Sequence, residues 1–170
     1  MKKLLFTLFL SLLTLTMSAQ IQRKFLGCTL GVSTPAQVKA NMAQKGYRPS
    51  DTSNKGCYIY DNINFAGFSN TQAFFYFYKN KLYLVSFILD HSFLGDSFDS
   101  KIDLLRERLL EKYSSYVCKS DYYDFVLNDN KTTNTLKRIF LNETGLYMLT
   151  LMYMDDKLLD EKEKSNSDEL

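Results

Sequence analysis

Two spacing patterns divide this chain. Phe98, Ile102, Leu105, Leu109 and Tyr113 recur at intervals of three and four, the spacing that puts side chains on one face of a helix. Lys101, Arg108, Glu111 and Lys112 fall on the other side, so an amphipathic helix is expected over about 99–114. A shorter helix is expected over about 35–45. Thr34 supplies the N-cap hydroxyl, Pro35 the first helical position and Gln37 the side chain that closes a capping box. Val38 and Met42 then sit one turn apart, and Gly46 suits a left-handed stop.

Elsewhere the period falls to two. Tyr58 to Tyr60 and Ile63 to Phe68 read as short strands around Asp61-Asn62. Tyr122 to Leu127, Lys137 to Asn142 and Leu146 to Met154 read as later strands, with Asn128-Asp129-Asn130 and Thr144-Gly145 as turns. Between the helices lies 73-AFFYFYKNKLYLVSFILD-90, with seven Phe or Tyr among its eighteen residues. A two-residue hairpin centred on Asn80-Lys81 pairs Tyr78 with Tyr83 and Phe75 with Ser86. It puts Phe75, Phe77, Leu82, Leu84 and Ile88 on one face, and Phe74, Tyr76, Tyr78, Tyr83, Val85 and Phe87 on the other.

Helix followed by several strands occurs twice, which suggests an internal repeat. At an offset of 64 residues FYFYKNKLYLVSF (75–87) lies on IFLNETGLYMLTL (139–151) without a gap. The second half then assigns Ile139, Leu141, Leu146, Met148 and Met152 to the first face. Arg138, Phe140, Asn142, Tyr147, Leu149, Leu151 and Tyr153 go to the second. The first face is expected to pack on the helices and the second to be open at least in part. The expected fold is α+β, with two tandem αβββ-like units over about 20–90 and 91–154, their sheets joined and their helices on one face.

Residues 1–19 join Lys2-Lys3 to the apolar run Leu4–Leu15 and to the small residues Ser18-Ala19. This is the three-part pattern of a secretory signal peptide, with cleavage expected after Ala19. The apolar core is shorter than the roughly 20 residues a membrane-spanning helix needs, so no integral membrane segment is expected in the mature chain. Without Lys2 and Lys3 the chain carries 19 basic and 19 acidic residues. Such a balance offers no electrostatic attraction for nucleic acid. Residues 155–170 hold seven acids against three bases and are expected to be a charged flexible tail. In an exported chain, periplasmic or extracellular, the compartment permits a Cys28–Cys57 disulfide. Three reduced thiols, Cys28, Cys57 and Cys118, are the alternative.

Leu30-Gly31-Val32-Ser33-Thr34-Pro35-Ala36-Gln37-Val38 resembles the glycine, hydrophobic, Ser/Thr and Val lead into the first helix of the β-lactamase inhibitory protein-like (BLIP-like) fold and of the related SmpA/OmlA outer-membrane lipoproteins. The end of the signal, Ser18-Ala19-Gln20, is similar to that of many secreted proteins of Bacteroides-type bacteria. The resemblance implies a protein-binding module and does not carry over β-lactamase as the target. It departs from the family in two ways: three cysteines cannot give a disulfide in each half, and Gln20 stands where a lipid-bearing Cys would follow the signal.

No constellation of an enzyme emerges. Asp90 and His91, the one histidine, are strand neighbours that point to opposite faces. Cys28 lacks the flanking sequence of a thiol-hydrolase nucleophile. Asp99, Asp103 and Glu107, four residues apart, suit the solvated start of a helix, and no cysteine or histidine spacing suits a metal or cofactor. Tyrosine and arginine with a few amides is the composition of protein-recognition surfaces. The expected function is therefore a non-catalytic protein-binding module that uses Tyr76, Tyr78, Tyr83, Arg138 and Tyr147, with Tyr58 and Tyr60, on the second face. A small-ligand or hydrolytic pocket, and an envelope component that homodimerises through the sheet, are the alternatives.

Overall fold

A computed structural model describes residues 20–93 and 96–167. The expected signal peptide, residues 1–19, lies outside the described residues. Among the described residues the fold is α+β, with a two-stranded and a seven-stranded antiparallel sheet and three α-helices. The strands are β1 (Lys24–Phe25), β2 (Cys28–Thr29), β3 (Cys57–Phe65), β4 (Phe68–Tyr78), β5 (Lys81–Ser92), β6 (Val117–Ser120), β7 (Asp124–Asn128), β8 (Thr132–Leu141) and β9 (Leu146–Asp155). The helices are α1 (Pro35–Gln44), α2 (Asp96–Tyr113) and α3 (Asp156–Ser167). The large sheet runs β3-β4-β5-β9-β8-β7-β6, so two hairpin meanders meet where β5 pairs with β9.

Local chemistry explains the first helix. Thr34 Oγ1 accepts from the Gln37 amide and Gln37 Oε1 from the Thr34 amide at 2.9 Å, the reciprocal capping box that satisfies amides with no partner inside the helix. Val38 and Met42 from α1, and Phe98, Ile102, Leu105, Leu109 and Tyr113 from α2, share one core with Phe75, Phe87, Phe125, Leu149, Leu151 and Tyr153 of the sheet. Ile21, Phe25, Cys28 and Leu30 plug the same core from the N-terminal segment. Arg23 ties that segment down. It donates to the Lys131 carbonyl at 2.8 Å and to Thr132 Oγ1 at 2.7 Å, and forms an ion pair with Asp155. Gly31, at φ +75°, has no room for a side chain, because a Cβ there would run into Asp155 Oδ2.

The hairpin register differs from the sequence expectation. The turn is Lys79-Asn80, both at positive φ, as in the type I′ turns of two-residue hairpins. Tyr78 pairs with Lys81 and Phe77 with Leu82, but Tyr76 pairs with Leu84. Tyr83 is the extra residue of a β-bulge, which reverses the alternation of β5 beyond it. Phe75 and Leu82 lie in the core as expected, with Phe77 packed against it. Val85 and Phe87 join them, while Leu84 and Ile88 move to the opposite face. A second bulge at Leu89 restores neither.

Three other expectations are corrected. Asp61-Asn62 does not separate two strands. β3 runs through it with a register break where Asn62 takes φ 58°, and the turn comes at Ala66-Gly67. Tyr122 and Tyr123 precede β7 and stand exposed, and β6 adds an edge strand that the sequence pattern does not reveal. Residues 156–167 form a helix rather than a loose tail. Asp155 Oδ1 accepts from the Leu158 amide at 2.9 Å, Leu158 is buried, and Lys157–Glu161 and Asp160–Lys164 are opposite charges one turn apart.

Candidate binding face of the sheet

The side of the sheet away from α1 and α2 has a regular construction. One row crosses all seven strands, Ile59, Phe74, Ser86, Met152, Thr135, Val126 and Lys119, each paired with the next. Another runs Cys57, Tyr76, Leu84, Met154, Thr133, Asn128, and a third Gln72, Ile88, Thr150, Lys137, Asp124. Charge sits at the margins of the face: Asp61 of β3 accepts from Gln72 Nε2 at 2.7 Å on one side, and a cluster lies on the other. Asp124 takes Lys119 at 2.6 Å and Lys137 at 3.8 Å, and Asp121 takes Lys119 at 3.0 Å. From β3 to β9 these rows hold only apolar, hydroxyl, thiol or amide groups.

The large side chains here, Phe74, Leu84, Ile88, Met148, Met152 and Met154, are half-buried. They are packed against their neighbours on the sheet. Ser86, Thr135 and Thr150 lie between them and are buried. A largely apolar face of this kind is the usual mark of a contact surface, and methionine adapts to differently shaped partners.

At the other end α3 leans on the face. Tyr78 Oη donates to the Glu161 carbonyl at 3.2 Å, Lys79 pairs with Glu161 at 3.1 Å, and the Lys162 ammonium lies 5.8 Å from the centre of the Tyr83 ring. Beneath them Cys57, Tyr76 and Tyr83 form a compact group, with the Cys57 thiol hydrogen-bonded to Tyr76. Burial raises the Cys57 thiol above its ordinary range, and burial together with the neighbouring Cys57 pushes Tyr76 up to about 12. These groups stay neutral at physiological pH and act as polar contacts rather than charges.

Of the seven residues expected to bind a partner, Tyr76, Tyr78 and Tyr83 are on this face and four are not. Tyr60 is fully buried and packs edge-on against Phe75 at 5.6 Å. Tyr58 follows the same alternation inward, meets Phe77 at 5.0 Å, and carries the Lys39 ammonium of α1 over its ring. Tyr147 packs between Phe140 and Phe98. Arg138 is buried on the helix side, with Asp99 of α2 2.8 Å from Nη1 and the Tyr122 ring 3.8 Å from its guanidinium carbon. The 64-residue alignment placed Arg138 and Tyr147 outward because it carried over the face assignment of the first hairpin, where the bulge had not been foreseen. The outer-face residues that the sequence reading assigned to the core are Leu84, Ile88, Ile139, Met148 and Met152.

The cysteines are free. Cys28 is sealed in the core beside Asn41, at 3.7 Å, whereas Cys57 is on the opposite side of the sheet, so the Cys28–Cys57 disulfide does not form. Asp90 turns inward to Lys101 at 2.6 Å while His91 is exposed. Among the described residues no three of His, Cys, Asp or Glu gather as a metal site, and no helix is long and apolar enough to cross a membrane. No protein-family model, curated protein or solved structure matches the chain.

Proposed function

We propose that this chain is an exported, non-catalytic protein-binding module that engages its partner through the outer face of the seven-stranded sheet. The observation that carries the reading is the uncharged stretch from β3 to β9, with Phe74, Tyr76, Leu84, Ile88, Met152 and Met154 presented together. The four strands β3, β4, β5 and β9, about 4.8 Å apart and about ten residues long at about 3.4 Å each, give a stretch of about 14 by 34 Å. That is somewhat over half of the roughly 800 Å² each partner contributes to a standard interface, the size of the apolar centre of such an interface rather than the whole of it.

The tandem-repeat, BLIP-like organisation belongs to the same proposal. Each half is a helix followed by hairpin-linked strands, and the final strands of the two halves, β5 and β9, pair at the centre. The 64-residue offset sets Val85 and Phe87 on Leu149 and Leu151, all four buried on the helix side. It does not hold in the preceding strands, where Phe75 is inside and its counterpart Ile139 outside. The two hairpins turn about the same aligned point, so the difference comes from the bulge at Tyr83, which has no counterpart in the second hairpin. The N-terminal sequence pattern supports export.

Photo-crosslinking tests the reading. A benzophenone side chain at Met152 or Phe74 is expected to capture a protein from the cell envelope, and the same group at Glu107 on the exposed side of α2 is expected to capture none. Equal capture from all three positions, or none from the first two, removes the proposal. A homodimer through the same face is the second reading. It predicts a doubled mass in solution and crosslinks between copies at Met152.

A further inference from the structure

A second feature lies on the helix side, away from the outer face. Between α2 and the β3–β4 turn is a cleft of about 230 Å³, whose floor is Leu105, Leu109, Leu151 and Tyr153. Each of the four is less than a tenth exposed, so the floor is closely packed and apolar. Phe65 closes one wall. The volume falls below the roughly 300–1,000 Å³ of ordinary small-molecule pockets, which leaves room for a slender chain rather than a ring system.

The mouth is cationic. Arg108 and Lys112 line it from α2, one turn apart, where like charges repel by about 0.2–0.5 kcal/mol. None of the ion pairs among the described residues includes either one. Arg108 reaches the Ala66 carbonyl at 3.4 Å, a weak contact across the mouth, and the Lys112 ammonium lies 5.2 Å from the Tyr113 ring centre. Glu107 and Glu111 are on the same helix but do not line the cleft. An apolar cleft under two unpaired cations is complementary to a ligand with one anionic head and a thin apolar tail.

We propose that this cleft binds a straight-chain alkyl carboxylate, its tail against Leu105, Leu109 and Leu151 and its carboxylate between Arg108 and Lys112. The carboxylate relieves the repulsion between the two cations, and the tail fills the cleft over a floor that is already packed.

Calorimetric titration of the mature chain, residues 20–170, with decanoate below its micelle concentration tests this, alongside decanol and decyltrimethylammonium. Decanoate is expected to bind about tenfold more tightly than either. The Arg108→Glu/Lys112→Glu variant is expected to lose that margin while keeping the wild-type melting curve, and Leu109→Trp, which fills the cleft, is expected to abolish binding of decanoate and decanol alike. Met152→Lys on the outer face is expected to leave decanoate affinity at the wild-type value, which separates this cleft from the protein-binding surface. The proposal is overturned if decanoate and decanol bind equally, if neither binds, if charge reversal leaves decanoate affinity unchanged, or if Met152→Lys is the variant that abolishes it. Binding only to vesicles of anionic phospholipid, with none to free decanoate, also overturns it.

Discussion

Asp99 and Arg138 form an ion pair in which the two partners are unequally placed, and the inequality predicts an unusual order of mutant stabilities. The Arg138 side chain is 4% exposed and that of Asp99 40%. Arg138 Nε has no acceptor among the described residues, and Nη1 meets Asp99 off the hydrogen-bond line. Asp99→Ala strands a buried guanidinium that keeps the Tyr122 ring against it. Breaking a fully buried pair in this way costs about 3–5 kcal/mol, and the solvent access of Asp99 brings the expected loss down to about 2 kcal/mol. Arg138→Met strands only an acid that water already reaches. It forfeits a cation–π contact of about 1 kcal/mol and gains a similar amount by burying an apolar chain, so the net change is expected within about 1 kcal/mol. The double variant is expected to be more stable than Asp99→Ala alone. Urea unfolding followed by circular dichroism at neutral pH measures all three. The reasoning is refuted if Arg138→Met is the costlier single change, or if the double variant is no better than Asp99→Ala.

The face assignment predicts opposite outcomes for neighbouring residues of β9: Leu151→Lys, which buries a charge, is expected to cost more than about 3 kcal/mol, whereas Met152→Lys stays within about 1 kcal/mol. Comparable losses in thermal melts would place both on one face. Thiol titration with an aromatic disulfide is expected to label Cys118 at once and Cys28 and Cys57 at the rate of unfolding, with three thiols found in denaturant; two slow thiols that fail to appear there would mean a disulfide. Stability is expected to fall on the alkaline side. Burial raises the folded values of Cys28 and Cys57 above the ordinary thiol value of 9.0 and takes Tyr60 and Tyr76 to about 12, so these groups stay protonated in the folded chain while the unfolded chain ionises. Their contribution is complete below about pH 9 and is lost as pH rises towards 12, and urea midpoints that hold level or rise between pH 8 and 10 would contradict it.

Helix α1 was legible because its cap, proline and apolar spacing act within four residues of one another, and α2 because its apolar stripe repeats over five positions. Both begin within three residues of where their patterns place them. The core residues of the first hairpin were legible up to Leu82 for a similar reason, since they follow directly from the turn. Past Tyr83 the assignment reversed. A bulge is one residue of backbone chosen by long-range packing, here by Val85 and Phe87 reaching the core, and nothing local in Leu-Tyr-Leu-Val marks it. The last helix was missed because its anchors, Asp155 as cap and Leu158 as the buried contact, draw their effect from the sheet they land on rather than from the charged sequence that follows.

The 64-residue offset carried the same reversal onto β9, and the reason that nothing in β9 itself corrected it bears on function. In an ordinary sheet with one wet face, Met148, Met152 and Met154 would be polar, and the alternation with Leu149, Leu151 and Tyr153 would identify the inside unaided. Here both sets are apolar, so the pattern gives two equivalent faces and no sign. The polar residues that remain on the outer face, Ser86, Thr135 and Thr150, are small and buried between larger neighbours, which removes the last contrast. A surface built to contact another protein must carry apolar side chains where solvent would otherwise select polar ones. The property that makes this face a candidate for binding is therefore the one that concealed its orientation, and only the pairing of β5 with β9 around the bulges at Tyr83 and Leu89 separates the two faces.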